Sequence, residues 1–308
     1  MTVSVVLSTY NGVEYLKELL DSIRLQTRQP DKVLISDDCS TDNTCEFVGK
    51  YIKQYDLDWE LIQHNKNAGW RINFRRAMLD ASSDVIFLCD QDDIWYKSKI
   101  KDMTSVMEQY QEIDVLTSSW EVMSGDKENG QIKPVKETGD VSKVQFTENV
   151  FRIPYPGCTY CVRSTFAHEA AEYWRDSFPH DAFLWRMANL KGTLYTYDKA
   201  EMKWRRHSDS SFTKERKSSH SSNSRLEWLD YAGESVESLK QYADRLHVPV
   251  SSEVRDIIQR NQACLKLRKK LYKNKSVLSW IKLLRYVGNY PYKEQYISDI
   301  VYALRGNR

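Results

Sequence analysis

Nowhere in the 308 residues do 18 apolar residues run together, so no segment is expected to cross a bilayer as a helix. The start carries no basic region and no small-residue cleavage site; Met1 leads at once into a strand pattern, and no signal peptide is expected. An excess of one charge is also lacking. The formal net charge is +2, which offers a phosphate backbone no strong attraction and leaves nucleic acid out of the expected partners. Neither GxGxxG nor GxxxxGKS/T occurs, which disfavours a dinucleotide fingerprint and a P-loop. The six cysteines (39, 45, 89, 158, 161, 264) supply a single CxxC, Cys158 to Cys161, with no second pair or adjacent histidines, so a zinc site is not expected. Without a secretory leader, the thiols are expected to be reduced and the chain cytoplasmic.

What is present is enough for a packed core. Hydrophobic residues make up 41% and charged residues 29%, and the length suits one large domain or a domain with an appendage. The chain is organised around Val85-Ile86-Phe87-Leu88-Cys89-Asp90-Gln91-Asp92-Asp93-Ile94-Trp95. Five apolar residues in a row predict a strand buried on both faces, and three carboxylates stand where it ends. Clustered acids repel, and a cation or a proton relieves that repulsion. Asp90 and Asp92 have the spacing to share one hard divalent ion, whose shell phosphates and water complete. The plainer alternative is a solvated acidic turn in which an Asp caps the next helix.

Along the chain, strands are predicted at Val3 to Leu7, Lys32 to Ser36, Trp59 to Ile62 and Val85 to Cys89. Helices between them carry Leu16, Leu19, Leu20 and Ile23, then Phe47, Val48, Tyr51 and Ile52, then Phe74, Ala77, Met78 and Ala81. This alternation predicts an α/β fold with a mostly parallel sheet flanked by helices. A helix with Ile100, Met103 and Met107 follows. Beyond it, Asp114 to Val122 reads as a strand, 127–139 as a loop or hairpin, and Val144 to Val150 as a short helix. Helices are expected at Thr165 to Trp174 and Ala182 to Leu190, and separate strands at Thr193 to Tyr197 and Met202 to Trp204. The Ser- and Lys-rich stretch 208–224 marks a mobile loop or a boundary. Domain 1–224 is thus expected, with a donor half near 1–112 and an acceptor half near 113–224. Residues 225–308 form a C-terminal helical appendage of three or four helices. The basic run 266–273, with Tyr272, Trp280 and Tyr286 nearby, either lies on an anionic membrane surface or is the solvated face of a bundle.

A parallel sheet brings Ser8-Thr9-Tyr10, Asp37-Asp38 and Asp90-Gln91-Asp92-Asp93 to one rim, where open α/β sheets bind ligands. An aromatic face for a nucleobase, a carboxylate for a base N–H and metal-holding acids for a diphosphate together describe a nucleotide-diphosphate site.

The opening Val3-Ser4-Val5-Val6-Leu7-Ser8-Thr9-Tyr10-Asn11-Gly12 resembles that of the inverting family 2 glycosyltransferases. Asp37-Asp38-Cys39-Ser40-Thr41-Asp42 is similar to their Asp-Asp-x-Ser-x-Asp element. Asn67-Ala68-Gly69 with Asn73 resembles their Asn-x-Gly loop and following helix, and Asp90-Gln91-Asp92-Asp93 their Asp-x-Asp motif. Four matches in the right order cover about residues 1 to 110. The resemblance implies a GT-A fold, a nucleotide-sugar donor and Mn²⁺ or Mg²⁺. It puts Ser8 or Thr9, Tyr10, Asp38 and Asn67 around the donor with Asp37 beside them. Asp92 becomes the principal metal ligand, and Asp90 serves the ribose or the metal. Asp93 either helps or caps the next helix.

The resemblance further implies a carboxylate base at the start of a helix beyond the acceptor loop, and Asp181 in His180-Asp181-Ala182 fits. His180 is the second choice for that role, since its ordinary pKa suits a base. Gly157 and Cys158 would line the acceptor side, where glycine permits close approach, and Trp185 either stacks on a sugar or packs in the core. Trp204-Arg205-Arg206-His207 is similar to a Tyr-Arg-x-His element whose arginines and histidine meet the diphosphate or metal, but tryptophan replaces the tyrosine and Ser208-Asp209 the usual Gly-Asn. The Asp-Gln-Asp-Asp-Ile-Trp form resembles bacterial rhamnosyltransferases of surface-polysaccharide assembly. It implies dTDP-rhamnose or a UDP-hexose as donor and a lipid-linked or protein-linked glycan as acceptor. A peripheral place on the inner membrane face and a homo-oligomer are both compatible with it. The competing expectation is a non-catalytic sugar-binding relative of the same fold. A phosphoacceptor receiver would be shorter, and a nucleotidyltransferase would want a basic, Gly-rich first loop.

Overall fold

A computed structural model describes residues 1–124, 131–133, 137–206, 222–246 and 251–305. At its centre lie β1 (Val3–Thr9) and β4 (Val85–Asp90), paired in parallel with Ser8 opposite Asp90. Alternation sends their side chains to two cores. Val3, Val5, Leu7, Val85, Phe87 and Cys89 meet α1 (Val13–Arg24), α2 (Thr44–Gln54) and α4 (Lys99–Gln109). Val6, Ile86 and Leu88 meet α3 (Trp70–Asp80), α5 (Ser164–Ala170) and α6 (His180–Lys191) on the other face. Continuous apolar strands covered on both faces are what such a layering requires. In α1, Leu16, Leu19, Leu20 and Ile23 are the buried residues, the stripe expected from the sequence.

The sheet has ten strands among the described residues, with the path β3-β2-β1-β4-β9-β6-β10-β5 and two strands, β7 and β8, beside it. The stretch from β3 (Trp59–Gln63) through β2 (Lys32–Asp37) and β1 to β4 is parallel. From there the sheet is mixed. β9 (Tyr160–Arg163) runs antiparallel to β4 and to β6 (Val115–Ser124). β10 (Leu194–Arg206) is parallel to β6, and β5 (Ile94–Trp95) is antiparallel to β10. The strands expected at 193–197 and 202–204 are one strand, β10, whose register against β6 shifts between Tyr197 and Lys203. The 127–139 segment contributes β7 (Gln131–Lys133), antiparallel to β6.

The helix expected at Val144 to Val150 is absent. β8 (Val141–Lys143) pairs with β10, and the Val144 N–H donates to the Leu194 carbonyl at 2.9 Å, so the chain stays extended. Val144 and Phe146 pack on the core at a spacing of two, a strand period that the open edge of β10 rewards.

The C-terminal helices are α7 (Ser222–Arg245), α8 (Ser252–Asn274), α9 (Val277–Leu283) and α10 (Glu294–Arg305), with a 3-10 segment over Leu284–Asn289. Their apolar faces join the second core, which runs from Val6 and Ile86 through Leu229, Val236 and Leu265 to Ala303. The basic run of α8 is divided by burial. Arg268 is 1% exposed and forks onto Asp299 of α10, Nε to Oδ2 at 2.7 Å and Nη2 to Oδ1 at 3.1 Å, while the Tyr272 hydroxyl donates to the same carboxylate at 2.8 Å. Tyr272 is buried, and Trp280 stacks on Tyr296 at 5.0 Å. Both aromatics lock α8, α9 and α10 together.

Candidate active site

Three parallel strand ends form the floor of the site. The register sets Thr9 opposite Asp37 and Ser8 opposite Asp90. The Asp37 carboxylate is fully buried and spent inward: it accepts from the Thr9 hydroxyl at 2.9 Å, from the Ser40 N–H at 2.8 Å and from the Ser40 hydroxyl. Asp38 accepts from the Ala68 and Gly69 N–H groups, both at 2.8 Å, and so pins the Asn67 loop to the end of β2. Gly69 has φ +89°, which only glycine takes without strain, and its N–H also reaches Asn67 Oδ1 at 3.1 Å. Asn73, fully buried on α3, ties the two strands beneath: its amide donates to Ser8 Oγ and the Ser36 carbonyl, each at 2.7 Å. Ser8 and Thr9 are therefore buried in this lattice, whereas Tyr10 is 45% exposed above it.

The acids follow on the turn between β4 and β5. Asp90 and Asp92 are half-buried, and Asp93 is fully buried. Burial comes first, then the charges of Asp92 and Asp181, in pushing the Asp90 carboxyl up to about 7. Asp93 is pushed well above the carboxylate range, by burial and then by Asp92 and Asp90. Its Oδ1 accepts from the Arg205 N–H at 3.1 Å, and Oδ2 has no hydrogen-bond partner among the described residues. It does not cap α4, whose N-cap is Ser98. Ligand atoms of Asp90, Asp93 and Cys158 lie within 4.8 Å of one another. Carboxylates crowded at one turn, each raising its neighbour, fit a divalent cation there. The Cys158 thiol is pushed well up by burial and the neighbouring acids, which keeps it protonated.

Asp181 is the second residue of α6; the N-cap is Pro179. It lies close enough to raise Asp90 and also Tyr160 through its charge. His180, 4% exposed, stands against Phe74 with centroids 4.1 Å apart, and a Cβ at Gly157 would lie 2.1 Å from its Nε2. Glycine is required there by this approach. Burial holds the imidazole below its ordinary pKa, opposed by Asp181. Trp185 is 6% exposed and stacks on Tyr155 at 5.6 Å, inside the core. A cavity of about 280 Å³ lined by Ala68, Gly69, Trp70, Arg71, Ile72, Asp176 and Ser177 adjoins the loop that Asp38 holds, away from the acids.

The profile of glycosyl transferase family 2 matches residues 4–172. The chain belongs to glycosyl transferase family 2. Among curated relatives, a dTDP-rhamnosyl transferase of Shigella flexneri is 30% identical over 213 residues, 65% of this chain and 71% of that protein. An uncharacterised protein of Mycobacterium tuberculosis is 37% identical over 93 residues, 30% of this chain and 27% of its own length. The crystal structure of Staphylococcus aureus TarS 1-349 in complex with UDP-GlcNAc shares the fold at a TM-score of 0.58 and 19% identity, covering 94% of this chain and 93% of that one. The GT-A architecture expected from the sequence is thus the one observed.

Two further residues shape this candidate site. Gln91 locks the acidic turn to the first loop: it accepts from the Tyr10 N–H at 2.8 Å and donates to the Tyr10 carbonyl at 3.1 Å. Lys99 is fully buried behind the acids, its ammonium 3.0 Å from the Cys158 carbonyl and 4.7 Å from the Trp95 ring centroid. Its signal was position, since it falls on the inward stripe of α4 with Met103 and Val106.

Arg205 differs from the expected diphosphate ligand. Its guanidinium is buried, donating from Nε to the Asp92 carbonyl at 2.9 Å, pairing with Glu18 and lying over the Tyr15 ring. Arg206 is exposed over Trp204, and His207 lies outside the described residues, as does 208–221. Arg205→Met is expected to cost about 1–3 kcal/mol, as loss of charge-assisted hydrogen bonds does, and to weaken metal-dependent donor binding by loosening the turn. Urea melts and donor titrations measure the two effects.

Proposed function

We propose that this chain is an inverting, metal-dependent glycosyltransferase that moves a sugar from a nucleotide-diphosphate donor, dTDP-rhamnose or a UDP-hexose, to a glycan hydroxyl in cell-surface polysaccharide or glycoconjugate synthesis. The observation that carries this reading is the convergence of the acidic turn with Asp181, whose charge is felt at Asp90. Asp92 and Asp90 would hold the cation, which would neutralise charge on the leaving diphosphate. Tyr10 offers its exposed ring to the base, and Asp38, with the Asn67 loop it fixes, borders the nucleoside. Asp181 takes the proton from the acceptor hydroxyl as that oxygen bonds to the anomeric carbon. The bond from that carbon to the diphosphate oxygen breaks, and the diphosphate leaves with the electron pair, inverting the configuration.

His180 is the weaker base: its ring is buried against Phe74 and Gly157 and held below its ordinary pKa. With Gly157 and Cys158 it shapes the acceptor wall. The nature of the Shigella flexneri relative supports dTDP-rhamnose first, and the UDP-GlcNAc complex of the structural neighbour keeps UDP sugars in view. The acceptor we infer is a lipid-linked or protein-linked glycan.

The test is thermal stabilisation by a panel of nucleotide sugars with Mn²⁺. A donor at 100 times its Kd adds about 2.7 kcal/mol to apparent stability. dTDP-rhamnose or one UDP sugar is expected to raise Tm with Mn²⁺ and far less with EDTA. No shift with any nucleotide sugar would leave the sugar-binding relative and the enzyme both without support.

A further inference from the structure

The last two helices expose an apolar face that the donor and acceptor chemistry does not use. Val277, Leu278 and Ile281 of α9 and Leu284 just beyond it are 48%, 62%, 51% and 60% exposed. Ile297, Val301 and Leu304 of α10 are also exposed, as is Tyr292 before it. The spacings 277-281-284 and 297-301-304 are each i, i+4, i+7, one stripe per helix. The helices are fixed side by side: Trp280 stacks on Tyr296, its indole N–H donates to the Tyr296 carbonyl at 3.0 Å, and Asp299 of α10 is held by Arg268. Their inward faces are satisfied by Leu283, Tyr296, Asp299 and Ala303, so the outward stripes are surplus to folding. Exposed apolar stripes on two helices that pack together mark a contact site.

The rim decides the partner. Lys273, Lys275, Lys282, Arg285 and Lys293 are exposed around the stripes, whereas Glu294 is the exposed acid between 273 and 304. We infer that α9 and α10 form an in-plane docking surface for an anionic lipid bilayer, the apolar stripes entering the acyl boundary and the lysine rim meeting headgroup phosphates. Charge complementarity carries the choice of partner. A second copy of the chain in an isologous contact would bring the same basic rim against itself. No described helix is long and apolar enough to cross a membrane, so the contact is interfacial. The inference does not depend on the donor or the reaction.

The test is co-sedimentation of the full chain with vesicles of phosphatidylcholine alone or mixed with phosphatidylglycerol. Binding is expected to require phosphatidylglycerol and to weaken with salt. Leu278→Gln/Ile281→Gln/Leu284→Gln is expected to reduce partitioning at least about tenfold, and Lys275→Glu/Lys282→Glu to do so with the apolar stripe intact. All five positions are exposed, and unchanged thermal melts and Mn²⁺-dependent nucleotide binding verify the fold of each variant. The inference is overturned if the intact chain ignores phosphatidylglycerol vesicles or if both variants bind like the parent. It is equally overturned if sedimentation velocity finds a dimer that the leucine variant dissociates while vesicles stay unbound.

Discussion

Asp181→Asn is expected to lower kcat by about 10²–10⁴-fold, the contribution of a positioned general base, while leaving donor affinity nearly unchanged. Asparagine keeps the shape and the polar contact at the start of α6 but cannot take a proton. The donor should feel little above about pH 7, where Asp90 has already lost its proton. A second readout separates this from structural damage. Asp90 is pushed up to about 7 by burial, by Asp92 and by Asp181, so below that pH it holds a proton in the folded, cation-free protein. A cation that needs the carboxylate competes with this proton, and binding tightens as pH rises towards about 7 and flattens above it. The same raised pKa favours the folded, cation-free state fully only below the ordinary carboxylate value, a contribution lost as pH rises through about 7. Removing the Asp181 charge removes one source of the shift, so in Asp181→Asn the onset of Mn²⁺ binding moves to lower pH. Calorimetric Mn²⁺ titration between pH 5 and 8 measures it. Parental turnover by the variant would exclude Asp181 as the base.

Much of this architecture is written locally. The buried strands announced themselves because Val3 to Leu7 and Val85 to Cys89 are covered on both faces and need apolar residues throughout. Parallel pairing then required their acidic ends to meet. What the sequence hid depends on partners far away in the chain. Val144 to Val150 carries enough apolar residues for a short helix, yet its start continues the pairing of β8 with β10, about fifty residues on, and its end is bend and turn. Arg205 reads as a diphosphate ligand by motif, yet Glu18 and the Asp92 carbonyl, 187 and 113 positions away, draw it into the interior. The basic run of α8 reads as a membrane-facing or solvated face, and Asp299 of α10 draws one of its members, Arg268, into the core. In each case local pattern gave the residue's chemistry correctly and the distant partner decided what that chemistry serves.

Asp92→Ala is expected to lower Mn²⁺-dependent donor affinity by at least about 100-fold, and Asp93→Asn by less than about tenfold, the contrast that tells a ligand from a buried neighbour. The two substitutions are needed because proximity and chemistry point differently. By distance the cluster is Asp90, Asp93 and Cys158, within 4.8 Å. Yet Mg²⁺ and Mn²⁺ want oxygen ligands reachable by phosphate and water. The Cys158 thiol is held protonated by burial and the nearby acids, and Asp93 is fully enclosed, with its carboxyl pushed well up. Asp92 is half-buried where Asp93 is fully buried, and its backbone carbonyl is fixed by Arg205, which leaves the backbone rigid beneath the carboxylate. A protonated Asp93 is nearly isosteric with asparagine, so Asp93→Asn keeps the Arg205 N–H acceptor and removes only the titration. A larger loss in Asp93→Asn than in Asp92→Ala would make Asp90, Asp93 and Cys158 the cation-holding set, and the donor diphosphate would then have to reach deeper than the rim. Metal titration followed by donor titration on the same samples distinguishes the two arrangements, since a variant that keeps the cation and loses the donor has lost a diphosphate contact and not a ligand.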